Sequence, residues 1–259
     1  MIDYLTAEEA RGREDIRLVL TAGVPGPWGE AAKAILRVKQ MEFMPVRQDG
    51  GDRNEALAEW TGQSSAPVLV VPGEAPHLTL RAIMLAAERM APAPTLVPQG
   101  TEDRAIFLGL CGEIHAELGL GWCRRLLMFD PILSAVPAGD PAIEKLERMA
   151  QKYGYYPGCS NMARERVIEI LKAFSARLHR QQAAGSEFLY GDSLTALDLI
   201  FAVFSNLVVP LDAADCPMPD FLRATYTVDD AEILAAIAPA LIEYRDCILR
   251  DHIGLPMRF

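Results

Sequence analysis

The segment Gly23-Val24-Pro25-Gly26-Pro27-Trp28-Gly29 has the composition of a turn that brings a ligand to the start of a helix. An apolar run, Ile16 to Leu20, precedes it, and helix-forming residues follow from Trp28. The unpaired amides and partial positive charge of a helix N-terminus favour anionic or sulfur-bearing ligands. Gly26 has no Cβ and lets such a ligand approach the main chain. The turn nevertheless carries no Ser, Cys or Tyr. Its nearest hydroxyl is Thr21, which either serves the chemistry or closes a strand as β-branched residues do. Trp28 either walls a pocket or packs between domains.

Other reactive side chains are scattered. Five cysteines, Cys111, Cys123, Cys159, Cys216 and Cys247, form no CxxC pair, so neither a zinc ribbon nor dithiol redox chemistry is supported. No metal site is expected. His115 stands alone, as structural histidines do. The segment Lys152 to Gly158, KYGYYPG, offers phenols at Tyr153, Tyr155 and Tyr156 that can donate to a thiolate or a leaving group.

Strands and helices must position these groups. Ile16–Leu20 and Ala66–Val71 read as buried strands, Glu42–Val46 as an edge strand with Pro45, and His77–Leu80 as a fourth. Trp28–Lys39, Asn54–Trp60 with Asn54 as N-cap, and Arg81–Met90 read as helices. The order β-α-β-α-β-β-α is a compact α/β unit over 16–90, after an extension at 1–15. APAPTLVPQG, residues 91–100, is a Pro-rich linker. Residues 101–259 read as all helix. Ile106, Leu110, Ile114, Leu118 and Trp122 recur every four residues and predict one long helix. Helices are further expected at 144–152, 163–182, 196–209 and 230–251. The fourth of these helical-domain segments is apolar nearly all round and starts with Thr195 and Asp198 at capping-box spacing, a structural signature.

With 259 residues and 51% apolar residues, the chain can bury a sizeable core. Its net charge of −10 argues against a nucleic-acid surface or a polybasic membrane anchor. Leu199–Leu211 is too short to span a bilayer. The charged N-terminus does not read as a secretory signal, and free cysteines suit a reducing cytoplasm.

The strand SSAPVLVV, the segment GDSLTALDLIF and the order of α/β unit, linker and helical domain resemble the cytosolic glutathione transferase family, over nearly the whole chain. The resemblance implies a thioredoxin-like N-terminal domain plus an all-α C-terminal domain, with Pro67 cis and glutathione as cosubstrate. It implies that the backbone of Ala66 binds the cysteinyl part of glutathione, with Gln63 and Ser64 near other ligand contacts. The family's Glu-Ser pair that holds the γ-glutamyl group is replaced by Thr79-Leu80, leaving Thr79 and Arg81 as the polar candidates. The family's activating Ser, Tyr or Cys falls at Pro25 or Gly26, so thiolate stabilisation passes to the amides near Gly26 to Trp28. The second substrate, a small hydrophobic electrophile, is expected between the domains beside His115, Glu117, Trp122, Met128 and Tyr155, with KYGYYPG as a lid. Two functions follow: a glutathione-dependent detoxifying transferase that conjugates or cleaves electrophiles, as a homodimer, or a non-catalytic binding protein of the same fold for hydrophobic ligands or a protein partner.

Overall fold

Three short apolar runs of the N-terminal third alternate with helices. In the computed structural model, which describes residues 2–137, 139–141 and 143–259, β1 (Arg17–Thr21) lies in the centre. It pairs in parallel with β2 (Met44–Gln48) and antiparallel with β3 (Val68–Val70). Successive side chains of a strand point to opposite faces. Leu18 and Leu20 therefore join one core with Ala31, Ile35 and Ile83, from α2 (Pro27–Val38) and α4 (Leu80–Met90). Val19 joins the other with Val46 and Leu57, the last from α3 (Glu55–Thr61).

Several expectations change here. The N-terminal extension is built into the domain: Leu5 bridges to Val46 on the edge strand, and α1 (Ala7–Arg11) buries Ala7 and Ala10 in the second core. Thr6 and Glu9 cap α1 reciprocally. The fourth strand shrinks to a single bridge between His77 and Leu69. Asn54 precedes α3 with φ 46° but does not cap it, because its side chain is spent on Asp49 and Asp52.

The linker is pinned by a buried lysine. Lys39 pairs with Glu88 and donates to the carbonyls of Ala91, at 2.8 Å, and Pro94, at 2.6 Å. Beyond it lie α5 (Thr101–His115), α6 (Leu120–Ala135), α7 (Glu144–Lys152), α8 (Ser160–Ala183), α9 (Ala196–Phe204), α10 (Asp220–Tyr226), α11 (Ala231–Ala236) and α12 (Pro239–Ile248).

The long first helix of this domain is in fact two. α5 ends at His115, Leu118 turns back with φ 58°, and Gly119 starts α6. The buried face of α5 is Phe107, Cys111 and Ile114, while Ile106 is 52% exposed. A four-residue step overshoots a helical turn by about 40°, so an every-fourth series drifts off one face. The last helix also divides, because Pro239 is accommodated only in a first turn and there opens α12. α9 is buried along its whole length. Its Asp198 accepts from the Thr195 amide at 2.6 Å, the Thr195 hydroxyl at 2.7 Å, the Leu189 amide at 2.8 Å and the Tyr244 phenol. Burial pushes the Asp198 carboxyl up from its ordinary value, and these four donors oppose it.

Candidate functional site

The turn that opens α2 has few donors left to offer. Gly26 is the N-cap, with φ −64°, and makes no side-chain cap. Its own amide is taken by the Val24 carbonyl at 2.8 Å, and Pro27 has no N–H. The amides of Trp28 and Gly29 are the donors that remain in this first turn. Above them opens a cavity of about 890 Å³. The turn forms its floor, loops 48–53 and 62–66 one wall, and residues of α6, α7 and α10 the other.

Trp28 sits at the junction. Its indole N–H donates to the His115 carbonyl at 2.9 Å and its ring meets Phe204 edge-on at 4.9 Å, so it ties α2 to the helical domain. It also lines the cavity. Trp28 thus both packs between the two domains and faces the cavity. Gly121 makes this packing possible, since a Cβ there would lie 2.4 Å from Phe204 Cε1 and 3.2 Å from Trp28 Cη2.

On the opposite wall, Thr21 donates its hydroxyl proton to Gln48 Oε1 at 2.7 Å. Only its oxygen lone pairs then face the cavity. The Ala66–Pro67 peptide is cis, and Ala66 lines the cavity with Gln63, Ser64 and Ser65. The Gln63 amide is committed to the carbonyls of Ser65, at 2.9 Å, and Leu78, at 3.3 Å, and so holds the loop in shape.

α7 closes the cavity from above. Arg148 donates to the Gly51 carbonyl at 3.3 Å, and Lys145 pairs with Asp52 at 2.9 Å. Gly51, with φ 78°, is the point of contact: a Cβ there would lie 2.7 Å from Lys145 Cγ and 2.8 Å from the Met149 sulfur. A second cavity of about 990 Å³ lies away from the turn, between α2 and the C-terminal tail, beside Glu30, Lys33 and Arg37. Among the described residues no group of three metal-ligating side chains comes together, and no helix is long and apolar enough to cross a membrane.

No protein-family model matches the chain, and no curated protein gives a significant sequence match. Solved structures do. A β-etherase from a Sphingobium species superposes with a TM-score of 0.62 at 15% identity, covering 92% of this chain and 96% of its own. A glutathione S-transferase domain-containing protein from Marinobacter aquaeolei gives 0.61 at 16%, covering 92% and 99%. A glutathione S-transferase from Methylobacterium radiotolerans, solved with glutathione sulfonate, gives 0.60 at 16%, covering 93% and 92%.

The fold is that of a glutathione transferase.

Within this transferase fold the expected site residues divide. Thr21, Gly26, Trp28, Gln63, Ser64 and Ala66 meet around the one cavity. Thr79, Arg81, His115, Trp122 and Tyr155 are not on its wall. Thr79 caps α4 by accepting from the Ala82 amide at 3.1 Å, Leu80 is buried, and Arg81 is exposed. His115 contributes only its carbonyl. Burial pulls its imidazole down to about 4, with Arg81 adding to the effect, so the ring is neutral at pH 7. Trp122 packs edge-on against Tyr153 at 4.9 Å, and Tyr155 donates to Asp130 at 2.8 Å.

Tyr153 takes the place expected of Tyr155. It lines the cavity at the centre of an aromatic cluster, 5.7 Å from Trp28 and 5.7 Å from Phe129. Burial raises its phenol and Arg125 opposes this. Arg125 and Tyr226 are the residues that sequence reasoning missed. The signal was present: Arg124-Arg125 is a pair of cations inside the apolar run LGWCRRLLMF. Adjacent helical residues point about 100° apart, and the two arginines have opposite fates. Arg124 turns into the core and donates to the Leu207 carbonyl at 2.6 Å and the Tyr226 carbonyl at 3.3 Å. Arg125 turns to the cavity, and its Nη2 donates to the Tyr226 hydroxyl at 3.2 Å. That hydroxyl donates to the Pro25 carbonyl at 3.5 Å, at the turn itself.

Proposed function

We propose that the protein is a glutathione-dependent enzyme of transferase type. It conjugates a small hydrophobic electrophile, or cleaves one by thiol attack beside an ether oxygen or a halide. The observation that carries this reading is the assembly of three elements around one cavity. These are the Ala66 backbone before Pro67, the Trp28 and Gly29 amides at the start of α2, and the rings of Trp28 and Tyr153.

In this reading glutathione lies along the Ala66 wall with its sulfur over the first turn of α2. A helix N-terminus stabilises an anion by about 0.3–1 kcal/mol, which lowers a thiol from about 8.5 by less than one unit. The Tyr226 hydroxyl accepts from Arg125 and donates to the Pro25 carbonyl at 3.5 Å, a long bond from which its proton turns to the sulfur and adds to the two amides. The sulfur attacks the electrophilic carbon, the C–S bond forms, and the leaving group departs with its electron pair. The β-etherase and the glutathione sulfonate complex among the structural neighbours support this reading. The same reading has the protein acting in the cytoplasm, as a homodimer, in detoxification. Glutathione-dependent turnover of chlorodinitrobenzene and of aryl ethers tests it.

A second reading has its own observation. Thr79 and Leu80, where the Glu-Ser pair is expected, are a helix cap and a buried side chain. Between them they leave one hydroxyl proton, on Thr79, in place of the Glu-Ser pair, which favours a non-catalytic binding protein for hydrophobic ligands or a protein partner. No heat with millimolar glutathione, and no glutathione-dependent turnover of any electrophile, selects this reading.

A further inference from the structure

The chain carries a net charge of −10, yet the helical-domain side of its cavity is cationic. Arg125, Arg148 and Lys152 line it, and the acid on the rim, Asp52, is already paired with Lys145. Arg148 is occupied by Glu144 and by the Gly51 carbonyl. Arg125 and Lys152 meet no carboxylate among the described residues.

What they meet instead is weak. Arg125 donates to the Tyr226 hydroxyl at 3.2 Å and to the Met128 sulfur at 3.8 Å, and stands over the Tyr226 ring at 5.4 Å. Its Nε is buried without a partner. The Lys152 ammonium stands over the Tyr153 ring at 5.7 Å. Burial and the neighbouring Arg125 both act against the Lys152 charge. A half-buried guanidinium with an exposed ammonium at the cavity mouth, and only phenols and a thioether for company, is an arrangement that an anion completes. A guanidinium presents a fork of donors that matches a carboxylate.

We infer that the second substrate carries an anionic group, a carboxylate, seated at Arg125 and Lys152, with its apolar electrophilic body against Trp28 and Tyr153. This inference rests on the transferase reading for the reaction, but not for the binding of the anion. The carboxylates of glutathione are not the better occupant. In that reading glutathione lies on the thioredoxin-like wall with Ala66, Gln63 and Ser64, where Arg53 also lines the cavity. Arg125 and Lys152 come from α6 and α7, across from it.

The test compares an acid with its ester. Dinitrobenzoate and its methyl ester, titrated in the absence of glutathione, report binding alone, by calorimetry on the full chain. Chlorodinitrobenzoate and its methyl ester report the reaction: glutathione sulfur bonds to the ring carbon, chloride leaves with the electron pair, and the thiol proton passes to solvent. The acid is expected to bind at least about tenfold more tightly than the ester, the scale of one hydrogen bond to a charged group. The ratio of kcat/KM for acid over ester is expected to follow. Arg125→Leu collapses both ratios toward one, and Arg125→Lys keeps part of them. Equal binding of acid and ester by the unmodified protein overturns the inference. So does an Arg125→Leu variant that weakens acid and ester in the same proportion. An acid preference in binding with no turnover of either chloride supports the anion site and counts against the transferase reading alone.

Discussion

Arg125 Nη2 and the Tyr226 hydroxyl meet at 3.2 Å, joining α6 to α10 beside the turn that begins α2. The hydroxyl sits 3.5 Å from the Pro25 carbonyl. In the transferase reading it turns its proton from that carbonyl to the sulfur, beside the Trp28 and Gly29 amides. Tyr226→Phe is therefore expected to move the pH profile of kcat/KM to higher pH and to lower the rate at pH 7 by about 10²-fold, the low end for a positioned proton donor. Thr21→Val, whose hydroxyl proton is already given to Gln48, is expected to change the profile little. Steady-state kinetics across pH decides between them.

Gly26 has room for a side chain. Its φ is −64°, and an added Cβ meets Thr21 Oγ1 at 3.6 Å and Thr21 Cβ at 3.7 Å, ordinary contacts. Gly26→Ser is expected to fold with stability changed by only a few tenths of a kcal/mol, since serine and glycine both serve as N-caps. Its hydroxyl would stand at the helix start. The thiol of bound glutathione should titrate at lower pH, as read by thiolate absorbance.

Gly121 is the reverse case. A Cβ there would lie 2.4 Å from Phe204 Cε1. Gly121→Ala is expected to cost about 1–3 kcal/mol in urea unfolding, the usual penalty of overpacking. Because Trp28 is also in contact, its fluorescence should shift with the loss.

His115 makes stability depend on pH. Burial lowers its folded-state value from 6.5 to about 4. The unfolded chain therefore binds the extra proton first. The stabilisation is fully present above pH about 6.5 and is lost as pH falls toward 4, by on the order of 2–3 kcal/mol. His115→Gln is expected to flatten this part of the curve relative to the unmodified protein, as followed by urea unfolding at a series of pH values.

The fold was legible where local chemistry and tertiary packing agree. The apolar runs around Leu18 and Val68, the Pro-rich linker and the Thr195–Asp198 cap each announce themselves over a few residues. The break between α5 and α6 did not, because Leu118 adopts a positive φ without being glycine and the apolar spacing runs on through it. The candidate site was legible on its thioredoxin-like wall, where the turn and the loop before Pro67 are contiguous in sequence. Its other wall was not. Arg125, Tyr153 and Tyr226 come from three separate elements, and only packing decides that Tyr153 rather than Tyr155 faces inward.

The most direct measurement is calorimetric titration of reduced glutathione into the full chain, alongside Gly26→Leu, whose side chain would occupy the space over the turn. The account predicts binding at about millimolar Kd or tighter, near −4 kcal/mol, and its loss in Gly26→Leu. No heat at millimolar glutathione, or equal binding by the variant, would contradict the placement of glutathione in this cavity.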